Sequence, residues 1–491
     1  MKGAVMVCGT ASDAGKSHVV TGLCRLLARR GVRVAPFKAQ NMALNSYVTP
    51  SCHEIGLAQG VQALAAGVEP EVAMNPILLK PTGERTSQVV VMGRPIAHLD
   101  AAAYQRLKPE LMGTVLDALA DLRSRFDVVI CEGAGSPAEI NLLDHDLVNL
   151  RLAGAAGIPA VVVGDIDRGG VFASLYGTVA LLPEELRNLV RGFIINKFRG
   201  DPSLLAPGLD DLARRTGVPT IGVVPWLHDV ALDAEDSLAL DGRRPRPATP
   251  PTAGTLDVAA VRFPRISNFT DLDALGVEPG VGVRLVSEPG SLGHPDLVVL
   301  PGTKATVADL EWLRGTGLDR AVAASGALVL GLCGGYQMMG ATIHDEVESG
   351  RGEVAGLGWL DVRTDFGPTK ITRQRRGRAL GRRVSGYEIH HGVVTGATGP
   401  WIELDDVYGS GPEGCADGPY WGTTLHGLLE ADGARATFLD VVAARRGRSW
   451  VAAGVSFAAA RETQWDRLAD AIEAHVDLAA LERLITGVPV P

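Results

Sequence analysis

The chain has 491 residues, a net charge of −9 and 46% hydrophobic residues. This length predicts two or three domains with their own apolar cores, and the acidic balance argues against nucleic acid as a partner. No apolar run approaches the roughly 20 residues of a membrane helix, so we expect a cytoplasmic protein without a membrane partner.

The first predicted element is an apolar strand, followed by a glycine-rich turn and a helical pattern. The turn is GTASDAGKS, residues 9–17. In such a loop, backbone N–H groups bind phosphate oxygens, Lys16 reaches a terminal phosphate and the Ser17 hydroxyl binds Mg²⁺. Five residues instead of the usual four separate the two glycines, so a chance turn is the alternative. We predict an ATP site formed by Thr10, Asp13, Gly15, Lys16 and Ser17.

Short apolar runs alternate with helical patterns up to about residue 226. The runs AVMVC, RVAPFK, DVVICEGAG, IPAVVVGDI, RGFIINKF and PTIGVVPW are rich in β-branched residues and have few charges. That composition is typical of parallel strands buried on both faces. Helix candidates are residues 18–30, 53–66, 101–125 and 171–182. The pattern predicts an α/β domain with a doubly wound parallel sheet and ligands at the carboxyl ends of its strands.

Polar side chains follow three of these strands. Glu132, in EGAGS, can hold Mg²⁺ against phosphates, and a solvated turn is the alternative. Asp165 and Asp167 are predicted to bind metal or orient substrate, and pairing of Asp167 with Arg168 is an equal alternative. The next strand ends at two residues that we predict to bind the nucleotide base, Asn196 and Lys197.

Two further segments are irregular in pattern and polar. Residues 36–49, PFKAQNMALNSYVT, are predicted to form a loop rather than a regular element. A polar substrate site is one interpretation and a plain surface loop is the other. Residues 75–93 have the same mixed character, with Lys80 and Arg85 as candidate partners of an anionic substrate. The substrate-site candidates in the first segment are Lys38, Gln40, Asn41 and Asn45.

The P-loop, EGAGS and the two polar segments resemble the cobyric acid synthases of cobalamin biosynthesis, whose P-loop domain is dethiobiotin synthetase-like. The resemblance covers nearly the whole chain and includes KAQNMALNSYVT, NPILLKP, DIDRGGVFASLYGT and NKFRGD. It implies an amidoligase that uses ATP and Mg²⁺ on a corrinoid polycarboxylate. The a,c-diamide synthases of the same pathway have an acidic loop where this chain has amides, which favours the later enzyme. A diamide synthase-like enzyme and a ParA-like ATPase switch are the alternatives.

The strand pattern stops near residue 231, and a proline-rich run predicts a linker over 231–255 between a synthetase domain, 1–230, and a second domain. Strand-like runs resume with DVAAVRF, GVRLVSE, DLVVLPG and ALVLGLC, which predict a second α/β domain over 256–445. A helical tail is predicted over 446–491, and its packing on the first or the second domain is left open. The basic run at residues 370–383 either lies near the polycarboxylate or decorates a mobile hairpin, and decoration is favoured.

The second domain is centred on GLCGGYQMMG, residues 331–340, which reads as a buried strand, a tight turn and a helix. Such a turn exposes a nucleophile, and the helix N-terminus stabilises a thiolate at Cys333. A buried structural cysteine is the alternative. His426 is the predicted base. Gly302, in PGTK, belongs to the segment predicted to supply oxyanion-hole amides.

These segments, with GYEIHHG at residues 386–392, resemble class I glutamine amidotransferase domains, which have a flavodoxin-like α/β fold. The resemblance implies that Cys333 and His426 hydrolyse glutamine. Most such triads carry a carboxylate two residues after the histidine, where this chain has Leu428, and Glu430 lies four residues on. We therefore predict a dyad, and the oligomeric state is left open. Predicted glutamine-site residues are Gly302, Gln337 and Tyr387.

Overall fold

The structure, a computed structural model, describes residues 1–83, 85–228, 230, 233 and 254–487. Most of the predicted linker over 231–255 lies outside these residues. None of the described helices is long and apolar enough to cross a membrane. The chain divides into two units, which are described separately. Unit 1 comprises Met1–Ala43, His53–Ala231 and Glu462–Pro491, and unit 2 comprises Leu44–Cys52 and Leu232–Arg461.

The strands of the described residues are β1 (Gly3–Gly9), β2 (Val34–Phe37), β3 (Gln40–Met42), β4 (Ser46–Val48), β5 (Glu54–Gly56), β6 (Ile77–Pro81), β7 (Thr86–Val91), β8 (Arg94–Asp100), β9 (Val128–Glu132), β10 (Ala160–Asp165), β11 (Val190–Phe198), β12 (Thr220–Pro225), β13 (Leu256–Val261), β14 (Val281–Val286), β15 (Leu297–Leu300), β16 (Leu328–Leu332), β17 (Thr342–Asp345), β18 (Gly352–Ala355), β19 (Arg363–Ala379), β20 (Arg382–Thr395), β21 (Ile402–Asp406), β22 (Gly409–Glu413), β23 (Cys415–Asp417) and β24 (Tyr420–Thr423). The α-helices are α1 (Lys16–Arg29), α2 (Leu57–Ala65), α3 (Ala101–Arg125), α4 (Leu150–Ala156), α5 (Val171–Leu181), α6 (Glu184–Arg187), α7 (Ala206–Thr216), α8 (Asp271–Gly276), α9 (Thr306–Thr316), α10 (Leu318–Ala324), α11 (Gly334–Met339), α12 (Asp432–Arg445), α13 (Phe457–His475) and α14 (Leu478–Thr486).

The main sheet of unit 1 has the strand order β12-β11-β10-β1-β9-β2, and every pairing in it is parallel. Alternate residues of β1 pack on opposite faces: Val5 and Val7 belong to the core that includes α1, whereas Met6 and Cys8 belong to the core that includes α3. Both faces are therefore covered, which confirms the predicted doubly wound sheet.

The polar segments at 36–49 and 75–93 are more regular than predicted. In unit 1 a second sheet has the order β3-β6-β7-β8, parallel between β3 and β6 and antiparallel beyond. Lys80 on β6 is buried and its Nζ lies 3.1 Å from the Glu54 carboxylate, so it is not a solvated surface charge. The buried ion pair interrupts the apolar alternation by which a strand is recognised in sequence.

The main sheet of unit 2 has the order β14-β13-β15-β16-β24-β23 and is parallel except for β23. This confirms the predicted second α/β domain fold. A second sheet contains the long hairpin of β19 and β20, which carries the basic run. Arg375 in that run is buried between Glu388 and Asp406, at 3.0 and 2.7 Å, so the run is more than surface decoration.

The C-terminal helical residues from Glu462 onward belong to unit 1. Ile472, Leu481 and Leu484 pack in the same core as Val5 and Val7 of β1. A Cβ on Gly22 of α1 would lie 2.9 Å from the Ile472 side chain, so this close approach requires glycine. The C-terminal helices thus complete one face of the unit 1 sheet.

We predict that Leu481→Ala lowers the free energy of unfolding of unit 1 by about 2 to 5 kcal/mol, because the side chain is fully buried and its removal leaves a cavity. Chemical denaturation measures the change. Leu204→Ala is the matched control: its side chain is 80% exposed, and the expected change is within about 0.5 kcal/mol. Equal effects of the two substitutions would contradict the packing of the C-terminal helices.

Candidate active sites

The glycine-rich turn of unit 1 joins β1 to α1 and leaves the N-terminus of α1 open. Gly15 has φ of +95° and precedes the helix. A Cβ at this position would lie 2.0 Å from Asn196 Nδ2, and that amide donates to the Ala14 carbonyl at 3.0 Å. Glycine is required here for both its conformation and its lack of a side chain. The turn has the form of a phosphate-binding loop.

Other predicted nucleotide residues contact the same turn. Lys16 Nζ donates to the Ala11 carbonyl at 2.8 Å, and the Thr10 N–H donates to the Val163 carbonyl. Lys197 Nζ donates to the Asp13 carbonyl at 2.6 Å and to the Asp165 carboxylate at 2.8 Å. Asn196 and Lys197 therefore hydrogen-bond to the main chain of the phosphate-binding turn. Their recognition of the nucleotide base stays a prediction.

Glu132 lies at the end of β9, beside Val7 of β1. Its carboxylate is buried and accepts three hydrogen bonds. Ser17 Oγ and Lys38 Nζ donate to Oε1 at 2.9 and 3.0 Å, and Gln62 Nε2 donates to Oε2 at 2.5 Å. Burial alone raises the pKa of Glu132, but the charge of Lys38 and the hydrogen bonds from Lys38 and Gln62 bring it below its usual range. The carboxylate is therefore ionised.

The side chains of Ser17 and Glu132 have the oxygen ligands that Mg²⁺ prefers. Ser17 supplies a hydroxyl and Glu132 an ionised carboxylate, both hard oxygen ligands, next to the phosphate-binding turn. The Gln62 amide oxygen is buried, has no hydrogen-bond partner among the described residues, and is a further oxygen beside Glu132. Gln62 lies within the apolar pattern of α2, so sequence motifs gave no signal for it.

The acidic residues after β10 pair differently from the prediction. Asp165 contacts Lys197, and its carboxylate also lies 3.9 Å from Arg168. Asp167 pairs with Arg199 at 3.3 Å, not with Arg168, so that predicted pairing is wrong. Each carboxylate faces a basic side chain, and these pairs hold the β10 turn against β11.

The four substrate-site candidates of residues 36–49 belong to both units. Lys38, Gln40 and Asn41 belong to unit 1, where the Gln40 amide accepts from Tyr104 at 2.6 Å and the Asn41 amide donates to Gln59 at 3.0 Å. Asn45 belongs to unit 2. Contact of these four residues with a substrate stays a prediction.

Cys333 in unit 2 lies on a strained turn between β16 and α11. Its φ and ψ are 49° and −108°, which non-glycine residues rarely adopt. A Cβ on Gly335 would lie 2.0 Å from the Leu300 carbonyl oxygen, so only glycine fits behind the nucleophile. This is the geometry predicted for a nucleophile elbow.

His426 is held beside Cys333 by a carboxylate that the sequence analysis missed. Nδ1 donates to Asp271 Oδ2 at 2.7 Å, and the Gly427 N–H donates to Asp271 Oδ1 at 2.6 Å. Burial alone lowers the pKa of His426, but the charge and hydrogen bond of Asp271, with a hydrogen bond to Cys333, raise it to about 10. Glu430 pairs instead with Arg461 at 3.1 Å. The structure thus adds Asp271 to the predicted pair of Cys333 and His426; these three residues are called the triad, and their catalytic role stays a prediction.

The remaining predicted glutamine-site residues gather around this triad. A Cβ on Gly302 would lie 2.8 Å from the His426 ring, and the Tyr387 ring stacks on that ring at 5.2 Å. The main chains of Tyr387 and His426 exchange two hydrogen bonds. Gln337, on α11, donates to the Gly392 carbonyl at 3.1 Å and accepts from Thr306. These residues hold the imidazole and the elbow in fixed positions.

Comparison with known proteins assigns a family to each half of the chain. Residues 5–239 match a CobQ/CobB/MinD/ParA nucleotide binding domain, and residues 257–434 match a CobB/CobQ-like glutamine amidotransferase domain. Cobyric acid synthases from Nocardia farcinica, Rhodococcus jostii and Streptomyces avermitilis are each 55% identical to the chain. They align with 100, 99 and 100% of it and over 99, 96 and 98% of their own length.

The chain belongs to the cobyric acid synthase family. This confirms the resemblance drawn from the motifs. The chain is a ligase with a nucleotide-binding domain followed by a glutamine amidotransferase domain. A solved glutamine amidotransferase matches 38% of the chain over 98% of its own length, at 17% identity and with a TM-score of 0.31.

We predict that Asp271→Asn lowers the rate of glutamine hydrolysis by about 100-fold or more, because an amide no longer stabilises the imidazolium. With the carboxylate the pKa of His426 is about 10, so the ring stays protonated through neutral pH. Without it, burial lowers that pKa, and the alkaline limb of the pH profile moves to lower pH. Steady-state glutaminase assays across pH measure both effects.

Glu430→Gln is the matched control for this substitution, since its carboxylate pairs with Arg461 and does not contact His426. We expect it to keep most of the glutaminase activity and an unshifted profile. Similar losses in both variants would remove the special role assigned to Asp271.

Proposed function

We propose that this enzyme amidates the remaining peripheral carboxylates, b, d, e and g, of adenosylcobyrinic acid a,c-diamide and yields adenosylcobyric acid, with ATP as energy source and glutamine as nitrogen source. The observation that carries the proposal is the buried triad at the elbow of Cys333 in a chain that also bears a phosphate-binding turn. Family membership supports the corrinoid substrate. The proposed domains are residues 1–230 for the synthetase and 256–445 for the glutaminase.

At the glutaminase site, the Cys333 thiolate attacks the side-chain amide carbon of glutamine. The C–N bond breaks as the His426 imidazolium donates a proton to the leaving ammonia, and water then hydrolyses the thioester to glutamate. Asp271 keeps Nδ1 protonated and aims Nε2 at the reaction centre. Main-chain N–H groups of the turns at Gly302 and Cys333 are the proposed oxyanion donors.

At the synthetase site, a corrinoid carboxylate oxygen attacks the terminal phosphorus of ATP, and ADP leaves. Ammonia then attacks the acyl carbon and inorganic phosphate leaves. Lys16 steadies the transferred phosphate. Ser17 and Glu132 are the residues that hold Mg²⁺, which neutralises phosphate charge when bound. Lys38, Gln40 and Asn41 are the proposed contacts for the corrinoid.

The direct test is mass spectrometry of a reaction with the a,c-diamide, ATP, Mg²⁺ and glutamine. Each amidation replaces a hydroxyl by an amino group and gives its own mass. Successive products ending with all remaining carboxylates amidated support the proposal. Turnover of cobyrinic acid, but not of its diamide, would instead identify a diamide synthase.

We predict that Cys333→Ala makes product from ammonium salts but not from glutamine, because it removes the thioester route and leaves the synthetase chemistry intact. Product formation is measured with both nitrogen sources on one folded preparation. Retained glutamine-dependent activity would show that Cys333 is a structural residue.

Lys16→Ala is the reciprocal variant. We expect product formation to fall by about 100-fold or more with either nitrogen source, since the transferred phosphate loses a fixed positive charge. Hydrolysis of glutamine alone, measured by glutamate release, should continue. Full ammonia-dependent synthesis by this variant would rule out the assigned ATP site.

A further inference from the structure

The segment Leu44–Cys52 follows the loop of Lys38, Gln40 and Asn41 in sequence but belongs to unit 2. Its residues Asn45, Ser46 and Thr49 are at most 1% exposed, although they are polar. The Gln374 amide donates to the Val48 carbonyl at 2.9 Å, and Cys52 Sγ lies 2.7 Å from the Tyr408 hydroxyl. The segment is thus built into the unit that contains the glutaminase triad.

Asn268 connects this segment to the triad. The backbone N–H of Asn268 donates to Asn45 Oδ1 at 2.6 Å, and the side-chain Oδ1 of Asn268 accepts from the backbone N–H of Ser46 at 2.9 Å. Because the side-chain oxygen is engaged by Ser46, the amide nitrogen points the other way, where it lies 3.4 Å from His426 Nε2. That is the imidazole nitrogen not bound to Asp271, and it is the one left to exchange a proton with Cys333.

The backbone of Asn268 is strained. Its φ of +51° lies in the left-handed region, and the residue is 4% exposed. Such a conformation persists only where neighbouring groups fix it, and it is concentrated at functional sites. Here the neighbouring groups are Asn45 and Ser46, through the two short hydrogen bonds on either side of the residue. The segment therefore sets the position of the amide that faces His426.

We infer that Asn45 and Asn268 are positioning residues for His426, the proposed proton carrier of the glutaminase site. The two hydrogen bonds that fix Asn268, and its contact with the imidazole, all lie within unit 2. The inference rests on the proposed glutaminase chemistry, whereas the geometry of the two asparagines is independent of it.

The test uses Asn45→Ala and Asn268→Asp. The aspartate still accepts from Ser46 and tolerates positive φ, but it presents a carboxylate oxygen that accepts the Nε2–H of His426 and draws it away from Cys333. We expect kcat for glutamine hydrolysis to fall about 10- to 100-fold in each variant, with a much smaller change in KM, because a misplaced base slows chemistry more than binding. Ammonia-dependent synthesis should be unchanged in Asn268→Asp, and wild-type circular dichroism spectra and melting temperatures show that both variants are folded.

Tyr408→Phe is the matched control, because it removes a contact at the other end of the segment and leaves both asparagines in place. It should keep the wild-type kcat. If Asn45→Ala and Asn268→Asp also keep it, the positioning role is wrong. A rise in KM without a fall in kcat would overturn it as well, since that result indicates a binding role. Absence of glutamine hydrolysis from the wild-type enzyme would instead refute the proposed function.

Discussion

The buried Asp271 carboxylate is the interaction on which the glutaminase site depends. An ionised group in the protein interior is stable only when its hydrogen-bonding capacity is met, and Asp271 accepts from both the His426 ring and the Gly427 N–H. It thereby fixes the tautomer, the orientation and the charge of the imidazole at once. Glu132 follows the same rule in unit 1, where Ser17, Lys38 and Gln62 share one carboxylate.

Backbone strain is found at both candidate sites and also outside them. Among the non-glycine residues with positive φ in the described chain, Asp13 and Lys197 lie at the phosphate-binding turn, and Cys333 and Asn268 lie near His426. The others are Cys52, Met92, Asp233 and Leu380. Strain of this kind is concentrated at functional sites but not confined to them, so it supports a site only together with its geometry.

The sequence was sufficient for features that depend on local pattern. Buried β-branched runs predicted both parallel sheets. The glycines before Lys16 and around Cys333 predicted the phosphate-binding turn and the nucleophile elbow. It was insufficient where distant residues meet: Asp271 and His426 are 155 positions apart, and no spacing rule links them. Buried polar residues also hid regular structure, since the Lys80 and Glu54 pair breaks the apolar pattern of β6.

The C-terminal helices that cover β1 have a consequence for biosynthesis. The side chains that cover Val5 and Val7, such as Ile472 and Leu481, are synthesised several hundred residues later. At typical elongation rates that face of the sheet remains uncovered for on the order of tens of seconds. The nascent chain therefore exposes an apolar surface during that interval, which favours binding by chaperones. It also means that a gene truncated after the nucleotide-binding half encodes an unfinished domain.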